Sequence, residues 1–86
     1  MVALVKQGQG MKWTARDIRE HVGWSVRCVL VSDGLTQQDL ATAVGCSRRG
    51  LHRKLWGQRD FTVHELVRVA KHLDRDLGSF IPQLEP

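Results

Sequence analysis

Residues 34–55 read GLTQQDLATAVGCSRRGLHRKL, and this stretch decides the predicted fold. Thr36 and Ser47 are natural helix N-caps, because their side-chain oxygens accept the free amides of a first helical turn. Gly45 lies between them and is a typical stop for the first of two short helices. Two helices of about eight residues, joined by three or four residues that include a glycine, form a helix-turn-helix. The sequence places this motif at residues 37–55.

The second helix of the motif has two chemically different faces. Successive residues are separated by about 100° around a helix axis, so Leu51 and Leu55 fix the inward direction. Arg49 and Arg53 then project from nearly the opposite side, one turn apart. Gly50 costs about 1 kcal/mol relative to alanine in a helix. It indicates either close approach of a ligand or tight packing on the preceding helix.

A longer helix is predicted before the motif. Thr14 and Asp17 have the spacing of a capping box and start a helix over residues 15–32. Apolar residues recur at intervals of four, four and three along one face of this helix. The predicted inward positions are Ile18, Val22, Val26 and Val29.

A fourth helix is predicted after the motif. Thr62 and Glu65 form a second capping box, with Phe61 before it as a hydrophobic staple. The inward positions of this helix are Leu66, Val69, Ala70 and Leu73. Residues 76–81 allow one more turn before Pro82. Because the sequence has no period-two alternation of apolar residues, we expect an all-α chain of four or five helices.

The length of the chain, 86 residues, fits one domain. We expect an N-terminal extension at residues 1–13, a helix-turn-helix domain at residues 14–81 and a C-terminal tail at residues 82–86. The apolar residues 2–5 stop at Lys6, a run too short for a secretory signal or a membrane span. A cytoplasmic location is therefore predicted.

The two cysteines are Cys28 and Cys46. Disulfides are rare in reducing compartments, so both residues are predicted to be reduced and buried. The cysteines and the four histidines show no paired spacing of the C-x-x-C or H-x-x-x-H kind. We therefore expect no metal site and no cofactor.

The positive charge is concentrated in one segment. Of the formal net charge of +4, residues 40–59 contribute +5 and contain no Asp or Glu, so the rest of the chain carries −1. The cations of the segment are Arg48, Arg49, Arg53, Lys54 and Arg59. Such a cluster suits a polyanion, since each cation that neutralises a phosphate releases counterions. A solvated helix face would give the same pattern.

The segments GLTQQDLA and VGCSR, with Leu51 after them, resemble the Cro/repressor helix-turn-helix family (Cro/CI, XRE-type) of phage and bacterial transcriptional regulators. The resemblance covers about residues 22–81. It implies a compact four- to five-helix bundle with a lambda-repressor-like helix-turn-helix. The sequence departs from the family at Lys54, where an apolar residue is usual. Leu55 takes that role, so the end of the third helix is expected to be rotated or frayed.

In that family the second helix of the motif reads the major groove of double-stranded DNA. The resemblance therefore implies base contacts from Arg48, Arg49, His52 and Arg53. It implies contacts with the DNA backbone from Gln37, Ser47, Lys54, Gln58 and Arg59. Arginine commonly contacts guanine, so a half-site that contains guanine is expected. The implied function is that of a Cro-like transcriptional repressor in the cytoplasm of a bacterial cell or a phage-infected host. The protein is expected to bind a palindromic operator as a homodimer. No membrane and no small-molecule substrate is expected as a partner.

Functions of other classes have less support. An enzyme is disfavoured because the Ser, His and carboxylate residues are scattered and there is no Gly-rich phosphate loop. RNA binding is disfavoured because the stacking aromatics of common RNA modules are missing. An antitoxin or another protein-interaction module with the same fold is the alternative. Surplus apolar residues would serve that contact or self-association: residues 2–5, Trp13, Trp24, Phe80, Ile81 and Leu84.

Overall fold

A computed structural model describes residues 13–83 of the chain. These residues form four α-helices and a short 3₁₀ helix, without a strand in the described range. In chain order the elements are α1 (Ala15–Asp33), α2 (Gln37–Val44), α3 (Arg48–Leu55), α4 (Val63–Leu73) and the 3₁₀ helix (Leu77–Phe80). The predicted all-α fold class is confirmed. The apolar residues 2–5 and Leu84 lie outside the described residues.

The four α-helices begin where the sequence predicted. Their N-caps, Thr14, Thr36, Ser47 and Thr62, each accept the backbone amide three residues later over 2.9–3.0 Å. In α1, α2 and α4 that third residue is an acid whose carboxylate accepts the amide of the cap. In α3 it is Gly50. The first turn of α3 therefore carries no negative charge.

The helices surround one apolar core. α1 packs against α3 and the 3₁₀ helix, and α2 packs against both α3 and α4. The buried core residues are Val26, Leu30, Leu40, Ala41, Val44, Leu51, Leu55, Val69, Ala70, Leu73 and Phe80. The prediction that Phe80 is available for an interface is wrong, because the 3₁₀ helix packs against α1 and α4 and leaves this residue 1% exposed.

Two predictions for α1 are wrong for a related reason. Ile18, predicted to face inward, is 40% exposed, and Cys28, predicted to be buried, is exposed. The buried apolar stripe of α1 consists of Val22, Val26 and Leu30. Cys28 lies roughly 200° around the helix from Val26. Ile18 lies near the N-terminal end of α1, one turn before the first buried residue, Val22. Position on the helix therefore overrides the apolar character of both side chains.

The end of α3 is closed by hydrogen bonds, so the expectation of a frayed end is wrong. The amide of Gln58 donates to the carbonyl of Arg53 over 2.8 Å. The amide of Gly57 donates to the carbonyl of Lys54 over 3.3 Å. This double closure is a Schellman motif, which requires a left-handed residue after the C-cap. Gly57 supplies it with φ +76°.

Candidate nucleic-acid interface

The outward face of α3 carries exposed cations. Arg49 and Arg53 are exposed, whereas Leu51 and Leu55 on the opposite face are fully buried. This arrangement confirms the orientation predicted for the helix. His52 is exposed on the outward side as well. Each guanidinium presents five N–H donors in a planar fork, the geometry that matches phosphate oxygens or the acceptor edge of guanine.

The N-terminus of α3 is suited to an anion. Arg48 is the first residue of the helix and is exposed. The Ser47 hydroxyl accepts the amide of Gly50 over 2.9 Å, which leaves its own hydrogen to donate outward. A helix N-terminus carries partial positive charge. No acid in the first turn of α3 offsets that charge.

Gln37 and His52 connect α2 to α3. Gln37 is the first residue of α2, and its Oε1 lies 3.3 Å from Nδ1 of His52. A hydrogen bond between these two atoms requires the histidine tautomer with its proton on Nδ1, because the amide oxygen can only accept. The amide nitrogen of Gln37 is a separate donor. The structure thus brings together a residue predicted to contact the DNA backbone and one predicted to contact bases.

Lys54 differs from the exposed cations, because its side chain is largely buried and paired with an acid. Its ammonium group donates to the carboxylate of Glu65 in α4, and the two side chains are 13% and 16% exposed. Burial alone would raise the pKa of Glu65, but hydrogen bonds from Lys54 and Thr62 outweigh burial and hold the pKa below its ordinary value. Partly buried Cys46 lies beside this pair, and burial raises the pKa of its thiol. Lys54 therefore joins α3 to α4.

The loop after α3 extends the exposed patch. Gln58 and Arg59, both predicted to contact the DNA backbone, are exposed. With Lys54 engaged by Glu65, the exposed cations of the segment are Arg48, Arg49, Arg53 and Arg59. We call these four residues the arginine patch.

Gly50 does not pack tightly against α2. Among the described residues, a Cβ placed on Gly50 would meet the Ser47 Oγ at 3.0 Å and no atom of α2 within 4 Å. The interpretation based on packing between the two helices is therefore wrong. The side of α3 at Gly50 is open between the predicted base-contacting residues.

Trp56 forms a stack that sequence reasoning did not find. The sequence left open whether its ring covers the core or lies at the surface. The residue is 48% exposed, and its ring lies 6.0 Å from that of His52. The guanidinium of Arg27, from α1, sits 3.7 Å from the centre of the Trp56 ring. The outward side of α3 thus ends in an aromatic ring that a cation from another helix covers.

The same end of α3 receives two further contacts from α1 that the sequence reasoning missed. Arg19 Nε donates to the carbonyl of Gly57 over 3.2 Å, and Arg27 Nε donates to the carbonyl of Leu55 over 3.1 Å. Between them, a Cβ on Gly23 would overlap the Leu55 carbonyl. One sequence signal existed, since an isolated glycine inside a helix, here Gly23, can mark close packing of another segment.

The described residues contain neither a cluster of metal ligands nor a membrane-spanning helix. From residue 13 to residue 83, no group of three or more His, Cys, Asp or Glu side chains is placed to hold a metal ion. No helix in that part of the chain is long and apolar enough to cross a bilayer.

The chain has the helix-turn-helix fold, as comparison with solved structures shows. No protein-family model and no curated protein sequence matches the chain. One similar structure is the restriction-modification controller protein C.AhdI from Aeromonas hydrophila, with TM-score 0.68 and 24% identity over 72% of this chain and 94% of that one.

Two further structures share the fold. An HTH_3 family transcriptional regulator from Vibrio cholerae has TM-score 0.71 and 21% identity over 78% of this chain and 38% of its own. The DNA-binding domain of BldD has TM-score 0.69 and 15% identity over 80% of this chain and 100% of its own. These likenesses confirm the predicted resemblance at the level of the fold.

Proposed function

We propose that the protein binds double-stranded DNA in a sequence-specific manner, with α3 in the major groove, and acts as a Cro-like transcriptional repressor. The observation that carries this proposal is the exposure of Arg49 and Arg53 on the face opposite Leu51 and Leu55. In helix-turn-helix proteins the second helix of the motif enters the groove with its N-terminal residues at the base edges. Arg49 lies in that first turn.

The base contacts are assigned to Arg48, Arg49, His52 and Arg53. An arginine fork binds O6 and N7 of guanine with two hydrogen bonds, and this is the commonest specific contact in the major groove. Arg48, Arg49 and Arg53 span about one and a half helical turns, so they are expected to reach neighbouring base pairs. The expected half-site therefore contains guanine at two or three adjacent positions.

The backbone contacts are assigned to Gln37, Ser47, Gln58 and Arg59. The first two lie at the N-termini of α2 and α3, where free amides and the helix dipole favour a phosphate. The other two lie in the exposed loop that follows α3. We leave Lys54 out of this group, because its ammonium group is already paired with Glu65. Backbone contacts set the register of a protein on DNA, whereas base contacts give specificity.

The roles of three structurally similar proteins support this proposal. They include a restriction-modification controller, a transcriptional regulator and a DNA-binding domain. We further propose that the protein acts in the cytoplasm. It is proposed to bind a palindromic operator as a homodimer, because two-fold symmetry of the protein matches two-fold symmetry of the DNA.

A protein-interaction module is the second candidate. Trp24 is 54% exposed and Val31 is 82% exposed on α1. Exposed apolar side chains on one helix favour a protein contact, such as an antitoxin has with its toxin. This candidate does not require the arginine patch.

Selection of bound sequences from a random pool of duplex DNA tests the proposal. The wild-type chain is expected to enrich one guanine-containing motif, with two inverted copies for a dimer. A variant with Arg49→Ala and Arg53→Ala should enrich none. The matched control carries Arg16→Ala and Lys71→Ala, which removes the same charge outside the patch and should enrich the wild-type motif. Failure of the folded wild-type chain to enrich any motif would contradict sequence-specific binding.

A further inference from the structure

Three residues of α1 at intervals of four meet the C-terminal end of α3. Arg19 and Arg27 donate to the carbonyls of Gly57 and Leu55 over 3.2 and 3.1 Å. Gly23 lies between them, so close to α3 that a Cβ there would also lie 2.9 Å from the Lys54 carbonyl oxygen. Residues four apart lie on the same face of a helix. These contacts therefore form one continuous seam between α1 and α3.

The seam satisfies carbonyls that the helix itself leaves open. The last carbonyls of a helix have no partner in the next turn. Those of His52, Arg53 and Lys54 accept backbone amides from the residues of the C-cap. The carbonyl of Leu55, the last residue of α3, instead accepts the Arg27 side chain. A cation at this end also opposes the negative pole of the helix dipole.

Arg27 holds a side chain as well as the backbone. Its guanidinium lies over the Trp56 ring at 3.7 Å while its Nε donates to the Leu55 carbonyl. A planar guanidinium can stack and donate at once, whereas a lysine ammonium cannot reproduce both contacts. Trp56 in turn neighbours His52 on the outward side of α3. Arg27 therefore fixes both the end of the helix and the ring beside its exposed face.

The contacts of Arg27 matter because α3 buries few side chains of its own. Its buried side chains are Leu51 and Leu55, so further restraints on its C-terminal end come from Arg19, Arg27 and Glu65 of the neighbouring helices. We propose that Arg27, supported by Arg19, is a positioning residue that sets the angle at which Arg49 and Arg53 meet the bases. The proposal rests on the proposed function of α3 as the DNA-reading helix.

The test compares Arg27→Lys and Arg27→Gln with the matched controls Arg16→Lys and Arg16→Gln in the full chain. Arg16 is an exposed arginine of the same helix whose partner is Glu20 rather than α3. The first readout is amide hydrogen exchange of residues 56–58 in the absence of DNA. The Arg27 variants should exchange about tenfold faster there, the size expected for loss of one charge-assisted hydrogen bond. The Arg16 variants should match the wild type.

The second readout is the ratio of affinities for the selected operator and for a random duplex. Arg27→Lys keeps the charge, so binding to the random duplex should change by less than about twofold while operator affinity falls about tenfold. A residue that only stabilises the fold would lower the melting temperature and leave this ratio unchanged, which would overturn the proposal. Equal losses on both duplexes, with a lower salt dependence for Arg27→Gln, would also overturn it, because Arg27 would then be a phosphate contact.

The two readouts separate this proposal from the proposed function. If the wild-type chain selects no operator, the proposed function fails and the positioning role fails with it. Hydrogen exchange in that case still shows whether Arg27 holds the end of α3. If an operator is selected and exchange at residues 56–58 is unchanged in both Arg27 variants, the positioning role alone is overturned.

Discussion

Helices α3 and α4 both begin at a hydroxyl N-cap and both pack against α2, yet they use their surfaces differently. α4 buries Leu66, Val69, Ala70 and Leu73 and carries Glu65 in its first turn and Lys71 and His72 in its last turn. These charges complement its dipole. α3 buries Leu51 and Leu55 and has no acid in its first turn. The outward face of α3 is exposed, and the helix is held by side chains of neighbouring helices, namely Arg19, Arg27 and Glu65.

The largest expected effect on stability comes from truncating one of the two buried side chains of α3, Leu51 and Leu55. Leu55→Ala should lower the free energy of unfolding by about 2–5 kcal/mol, because the side chain is fully buried and its removal leaves a cavity. Val67→Ala on α4 is the control, since Val67 is 48% exposed and should change stability by less than about 0.5 kcal/mol. Urea denaturation followed by circular dichroism measures both. Similar values for the two variants would contradict the dependence of α3 on its two anchors.

The second prediction is that alanine substitutions at two helical glycines, Gly23 and Gly50, change the stability of the protein in different ways. An exposed helical Gly→Ala change gains up to about 1 kcal/mol. Gly23→Ala should instead destabilise the protein by about 1–3 kcal/mol, because the methyl group would overlap the Leu55 carbonyl. Gly50→Ala meets only the Ser47 hydroxyl, and its stability should lie between that of the wild type and a gain of about 1 kcal/mol.

Thermal unfolding of the two glycine variants provides the measurement. A gain in stability for Gly23→Ala would show that α1 and α3 do not approach closely. For Gly50→Ala, retained stability with weaker DNA binding would support close approach of DNA at this position.

The helix boundaries were predictable because their causes are local. A hydroxyl cap, its partner three residues later and a glycine at the end all lie within a short stretch, and Thr36 and Gly45 bound α2 as expected. The orientation of Arg49 and Arg53 followed from helical periodicity for the same reason. Burial of Cys28 was mispredicted because it was assigned from residue type rather than from the face of α1.

The remaining features depend on contacts between distant parts of the chain. Arg27 and Leu55 are 28 residues apart, and Lys54 and Glu65 are 11 apart. No periodicity in the sequence relates such pairs, since each depends on the angle at which two helices cross. The sequence therefore indicated the exposed face of α3 but not the residues of other helices that hold α3 in place. The roles of the individual arginines remain predictions.

A smaller effect concerns the contact between α3 and α4. Hydrogen bonds from Lys54 and Thr62 hold the pKa of Glu65 below its ordinary value of 4.5 in the folded protein. The resulting stabilisation is present above pH 4.5 and is lost as the pH falls through the lower folded-state pKa. Glu65→Gln keeps the capping-box pattern and should cost about 1–2 kcal/mol at pH 7, with the difference from wild type shrinking below pH 4.5.

Denaturation at a series of pH values checks this prediction. Glu20→Gln is the control, because Glu20 forms an exposed pair with Arg16 and should cost less than about 0.5 kcal/mol at any pH. A pH-independent difference between Glu65→Gln and wild type would contradict the role assigned to the Lys54–Glu65 pair.

The central claim, that α3 reads bases through its outward arginines, is tested most directly by the affinities of three variants for the selected operator and for a random duplex. Arg49→Ala and Arg53→Ala should each lose about 1–3 kcal/mol on the operator and relax the preference at one or two base pairs, with a small change on the random duplex. Arg59→Ala, which removes a proposed phosphate contact, should weaken both duplexes nearly equally and lower the salt slope by about 0.9. Equal behaviour of the three variants, with wild-type helicity and unchanged sequence preference, would contradict base reading by α3 and identify the arginine patch as a general polyanion surface.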